Sequence, residues 1–98
     1  MKLNVGNVVS LKVGMLKNNP GTKGVVFNNY PDFDDDSKVG AQIIFENGEY
    51  DGFSADDQDY YLEKLPTKTL KEHTNYEFKN VMRVSQDFKN GFWDEILK

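Results

Sequence analysis

The segment 40–53, GAQIIFENGEYDGF, restricts this chain more than any other. Asn47-Gly48 stands between two runs in which apolar and polar residues alternate. Asn-Gly accepts the positive φ angles of a tight two-residue hairpin turn. Such a loop would pair Phe45 with Tyr50 and Ile43 with Gly52, and would set Ile44 opposite Asp51 and Gln42 opposite Phe53. Phe45 and Ile43 then belong to the core. Phe53 falls on the polar face unless the ladder slips by one residue. Gly52 tolerates a bulge, so a bulge or sharp bend is expected there.

The flanking segments extend the β pattern. In residues 5–13, Val9, Leu11 and Val13 alternate with Val8, Ser10 and Lys12, the period of a half-buried strand. Asn18-Asn19-Pro20-Gly21 is turn chemistry and closes a long first loop. Residues 22–30 form a second strand, with Val25 and Phe27 on one face and Val26, Asn28 and Tyr30 on the other. Residues 31–38, PDFDDDSK, are too polar to bury and make an acidic surface loop. Ser54 followed by Asp56 and Asp57 predicts one short helical turn. Residues 60–65 supply a fifth strand, ended by Pro66.

Beyond Pro66 the period changes. Residues 67–75 are polar, hold the single histidine, His73, and read as a linker. From Tyr76 onward, Phe78, Val81, Met82, Phe88, Phe92 and Ile96 fall on one arc at about 100° per residue, which predicts an amphipathic helix. Gly91 lies inside that arc and costs about 1 kcal/mol relative to alanine, a point at which the helix can break.

The order of five short strands, a long first loop, a central hairpin and a helical turn before the last strand resembles the SH3-like barrels, including KOW and Tudor-type modules. The resemblance rests on VGNVVSLKVG, GTKGVVF and the Asn-Gly hairpin. It implies a mainly β fold, a small five-stranded SH3-like barrel at residues 1–66. A linker at 67–75 and a C-terminal amphipathic helix at 76–98 would pack on the barrel and make the whole α+β. With 98 residues, one domain is expected. Modules of this kind bind RNA, ribosomal partners or methylated side chains, so the resemblance leaves the ligand open.

Composition narrows the chemistry. Without cysteine, a disulfide framework, a thiolate metal site and a cysteine nucleophile are excluded. With one histidine, no Gly-rich phosphate loop and no GxSxG motif, the usual routes to catalysis each lack a part. No catalytic, cofactor-binding or metal-binding residue is assigned, no cofactor is expected, and the protein is read as a non-enzyme. A calcium loop opening at Asp32 would need Gly where Ser37 stands and Glu where Ile43 stands. Asp56, Asp57 and Asp59 read as capping and surface residues. The amino-terminal residues lack the apolar run of roughly 7–15 residues of a secretion signal, and no run approaches the span of about 18 residues that would cross a membrane. A cytoplasmic location is expected.

The net charge of −4 is unevenly placed, since residues 1–65 carry eleven acidic side chains against six lysines. That balance disfavours phosphate backbones and favours a basic partner. Aromatic residues beside carboxylates suggest a groove for such a partner. The candidate partner-binding residues are Tyr30, Phe33, Asp34, Asp35, Asp36, Phe53 and Trp93. Trp93 either seals the helix to the barrel or anchors an interface. The leading expectation is a protein-interaction module. A second is a small acidic inhibitor, immunity or phage-encoded protein masking a basic active site or nucleic-acid channel. A third, a KOW-like nucleic-acid face, requires Lys12, Lys17, Lys23 and Lys38 to converge.

Overall fold

The computed structural model describes residues 2–31, 37–66 and 71–97. Strands β1 (Val8–Leu11), β2 (Lys23–Pro31), β3 (Val39–Phe45), β4 (Tyr50–Phe53) and β5 (Leu62–Lys64) form one antiparallel sheet in the order β4-β3-β2-β1-β5. Among the described residues four short helices accompany it: α1 (Ala55–Tyr61), α2 (Lys71–Thr74), α3 (Val81–Lys89) and α4 (Asp94–Leu97). The result is a small α+β domain built on a five-stranded sheet.

The runs Val25-Val26-Phe27 and Ile43-Ile44-Phe45 are completely buried, which a sheet with one wet face would not allow. Alternate residues feed two separate cores. Val9, Leu11, Val26, Ala41, Ile43, Phe45, Phe53 and Leu62 line the inner face. Val8, Val25, Phe27 and Ile44 line the outer face, where Val84, Trp93, Ile96 and Leu97 cover them. Both edge strands, through Phe53 and Leu62, reach the inner core, so the sheet curls around it. Among the described residues no ladder joins β4 to β5. The sheet is therefore open, where a barrel was expected. Helix α1 connects these edges, and buried Gln58 donates from Nε2 to the carbonyls of Val39 (3.0 Å) and Phe53 (3.1 Å).

The central hairpin forms with a register one residue away from that expected. Ile44 pairs with Tyr50, Ile43 with Asp51, Gln42 with Gly52 and Ala41 with Phe53. The Gly48 N–H donates to the Phe45 carbonyl at 2.9 Å, Phe45 N–H donates to Glu49, and Gly48 has φ +85°. That is a three-residue loop ending in a left-handed glycine, the other turn that Asn-Gly serves. The choice is made by burial, because this register delivers Phe53 to the inner core, edge-on to Phe45 at 6.1 Å between ring centroids. Consequently β4 pairs without a shift at Gly52, and the expected bulge is not there.

A bulge does occur in β2, where Phe27 is the extra residue between Val26↔Ile43 and Asn28↔Gln42. It turns Asn28 and Tyr30 onto the outer face, not the face of Val26. Asn28 Nδ2 donates to Gln42 Oε1 across the ladder at 2.8 Å.

The C-terminal segment is not one helix from Tyr76. Asn80 caps α3 by accepting from the Arg83 N–H, and Gly91, at φ +86°, ends it before α4 begins. Val84 faces the sheet while Met82, expected on the apolar arc, is 70% exposed. The arc fails because Phe78, Phe92 and Ile96 lie outside α3. His73, expected in a linker, lies in α2 and is buried, stacked on Trp93 with centroids 5.4 Å apart. Its Nε2 donates to the Phe92 carbonyl at 2.9 Å.

Candidate functional site

Helix α1 carries three exposed carboxylates, Asp56, Asp57 and Asp59, next to the exposed ring of Tyr60. Ser54 Oγ accepts from the Asp57 N–H at 3.2 Å and fixes the helix start, with Asp56 and Asp57 in the first turn where the helix dipole favours carboxylates. Gln58 points inward and locks the helix to β3 and β4, so Asp56, Asp57, Asp59 and Tyr60 are left facing solvent. Tyr60 is 64% exposed and meets the half-buried Tyr61 edge-on at 4.7 Å. The short spacing of these groups follows from the helix, which turns every third or fourth side chain back to the same side.

Beside α1 lies a cleft of about 520 Å³ bounded by Lys2, Leu3, Asn4, Ser37, Lys38, Val39, Ala55, Asp56 and Asp59. Val39 is exposed there and gives the cleft an apolar wall. Lys38 Nζ meets Asp56 Oδ1 at 3.3 Å, a solvent-exposed pair of small energetic weight. Lys12 Nζ donates to the carbonyl of Asp59 at the other end of the helix. Glu46 Oε1 accepts from the Lys23 backbone N–H. Of the lysines named for a nucleic-acid face, Lys38 thus meets a carboxylate and Lys12 a carbonyl, both on α1.

Of the sequence-derived candidates, Tyr30, Phe53 and Trp93 are described, and they do not share one surface. Phe33, Asp34, Asp35 and Asp36 lie outside the described residues. Phe53 and Trp93 are buried in the inner and outer cores and have no surface to offer a partner. Trp93 takes the sealing position, packed against His73, Tyr76 and Phe92. Tyr30 is half-buried on the outer face, lying across Gly40 with its hydroxyl toward Gly52. The face of α1 was legible only as a cap followed by carboxylates. What distinguishes it is the placement of Tyr60 and Val39, which needs the fold.

A second, smaller cleft, of about 340 Å³, is bounded by residues that include Tyr76, Arg83, Asp87 and Phe92. The Tyr76 hydroxyl donates to Asp87 Oδ2 at 2.7 Å, and Arg83 Nε to Asp87 Oδ1 at 3.2 Å. Burial, and then the hydrogen bond and charge of Asp87, push the Tyr76 hydroxyl far above the usual tyrosine range. A phenol held so firmly protonated fastens the chain before α3 to that helix. It is not a base. Among the described residues no cluster of three or more acidic or histidine side chains has metal-binding geometry, and no helix is long and apolar enough to cross a membrane.

Comparison with protein-family models, with curated proteins and with solved structures finds no match to this chain.

Proposed function

We propose that this protein is a non-enzymatic interaction module that binds a basic protein segment along α1 and the adjoining cleft. The observation that carries the reading is the juxtaposition, on a helix braced by Gln58, of Asp56, Asp57 and Asp59 with exposed Tyr60, beside the exposed Val39 of β3. Carboxylates steer a cationic segment and speed its encounter, while an aromatic ring and an apolar wall hold the stems of lysine and arginine side chains. The element order supports an SH3-like barrel as the parent architecture, and such modules bind extended segments beside aromatic side chains. The bracing of α1 supports binding with little rearrangement.

The test is affinity for a lysine-rich probe peptide, measured by calorimetry at low and at high salt. Wild-type protein is compared with a triple Asp56→Asn, Asp57→Asn, Asp59→Asn variant and with Tyr60→Ala. Wild-type affinity that falls with salt, is weakened in both variants and loses its salt slope in the triple variant supports the reading. Salt-insensitive binding, or binding unchanged by the triple substitution, refutes it.

A further inference from the structure

The chain contains the same four-residue turn twice, and only one copy is restrained. Phe45-Glu46-Asn47-Gly48 and Phe88-Lys89-Asn90-Gly91 both read Phe-x-Asn-Gly. In each, the glycine N–H donates to the phenylalanine carbonyl, at 2.9 Å and 3.1 Å, and the glycine φ is +85° and +86°. The backbone setting is therefore matched. Asn-Gly is the dipeptide most open to attack by a backbone nitrogen on a side-chain amide, because glycine puts no side chain in the way.

The side chains are treated very differently. Asn47 Nδ2 donates to the Leu16 carbonyl at 3.0 Å, and Asn47 Oδ1 accepts from the Glu49 N–H at 3.0 Å and from Asn18 Nδ2 at 3.2 Å. Asn18 itself is nearly buried, so this brace is anchored from below. Asn90 is exposed, and among the described residues its side chain has no hydrogen-bond partner, although its N–H is held by Gln86.

We infer that Asn90 is a site of spontaneous deamidation in the folded protein and that the Asn18–Asn47–Leu16 brace shields its twin. The Gly91 backbone nitrogen attacks Asn90 Cγ, forming the ring C–N bond as the amide C–N bond breaks. Ammonia leaves, carrying away the proton from the Gly91 nitrogen. Water then adds to either carbonyl of the cyclic imide and that carbonyl's bond to the Gly91 nitrogen breaks, the nitrogen taking back a proton from the water. Opening at Cγ yields aspartate at position 90, and opening at the main-chain carbonyl yields isoaspartate. No oxidant, metal or enzyme is needed. The product places a carboxylate at the C-terminal end of α3, where negative charge is unfavourable, one residue before Gly91, whose Cβ position lies 3.1 Å from Asp94 Oδ2. The isoaspartate form also lengthens the main chain just before Trp93.

The experiment incubates the protein at mildly alkaline pH and follows both peptides by mass spectrometry, reading the exchange of NH2 for OH and resolving the isoaspartate form by chromatography. In the folded protein Asn90 converts, while Asn47 is slower by about tenfold or more, since its amide must first leave several hydrogen bonds. In concentrated urea the two rates converge. Asn18→Ala accelerates conversion of Asn47 and leaves Asn90 unchanged. Equal rates in the folded state, or a faster Asn47, overturn the inference, and the urea arm keeps it decidable if Asn18→Ala does not fold.

Discussion

The ring of Tyr30 rests on the backbone of Gly40, its cross-strand partner, so closely that a methyl group on Gly40 would overlap ring carbons Cε2 and Cζ. Gly40→Ala should therefore cost about 1–3 kcal/mol, the range for overpacking, because the ring must leave its place. Combining it with Tyr30→Ala should recover part of that loss, and a urea-unfolding double-mutant cycle measures the coupling. Strict additivity would show that the ring does not rest there.

At the outer edge of the sheet, Asp51 Oδ1 accepts the Gly52 backbone N–H at 2.8 Å. The pairing with β3 leaves that N–H facing away from the sheet, where it could otherwise receive another strand. Asp51→Ala should raise self-association at high concentration, read by sedimentation, while changing monomer stability by no more than about 1 kcal/mol. A variant as monomeric as wild type would remove this role from Asp51.

Leu16 and Lys17 occupy the left-handed region, at φ 50° and 64°, in the turn closed by the reciprocal bonds between Met15 and Asn18. A non-glycine residue there carries about 1–2 kcal/mol of strain, partly offset by the entropy that glycine would lose. Lys17→Gly should stabilise the protein by about 0.5–1 kcal/mol in chemical denaturation. Leu16 is the poorer choice for such a change, since it packs on the inner core.

The Tyr76 hydroxyl holds its proton more tightly in the folded chain than in the unfolded one. Stability from this group is complete below the ordinary tyrosine value of about 10 and is lost as pH rises beyond it, because the unfolded chain then releases the proton first. Urea midpoints of wild type and Tyr76→Phe should differ by a constant amount near neutral pH, with wild type the more stable. The difference should shrink above pH of about 10. Parallel curves throughout would separate Tyr76 ionisation from stability.

The strands and the central hairpin were legible because alternation and turn chemistry are local. The register was not, since Asn-Gly serves two loop lengths and only the need to bury Phe53 selects between them. The Phe27 bulge left no mark in the sequence, and it reassigned Asn28 and Tyr30 to the other face. The C-terminal arc misled because periodicity is blind to the Asn80 cap, and it ran through Gly91 into residues that pack independently. His73 reads as polar, yet its ring has the size and shape to stack on Trp93. Gln58, the brace that presents α1, carries no signal that sets it apart from a surface glutamine. The carboxylates of α1 could be seen in advance, but their company could not.

The paired faces of β2 and β3 behave like a text that makes sense in only one reading frame. Val25 and Val26, or Ile43 and Ile44, would satisfy either core on hydrophobicity alone, so composition does not say which belongs inside. A slip of one residue would keep every strand apolar and still exchange the two linings, setting residues shaped for the curled interior against α3 and α4. Gly48 and the Phe27 bulge, two points of punctuation, keep the frame.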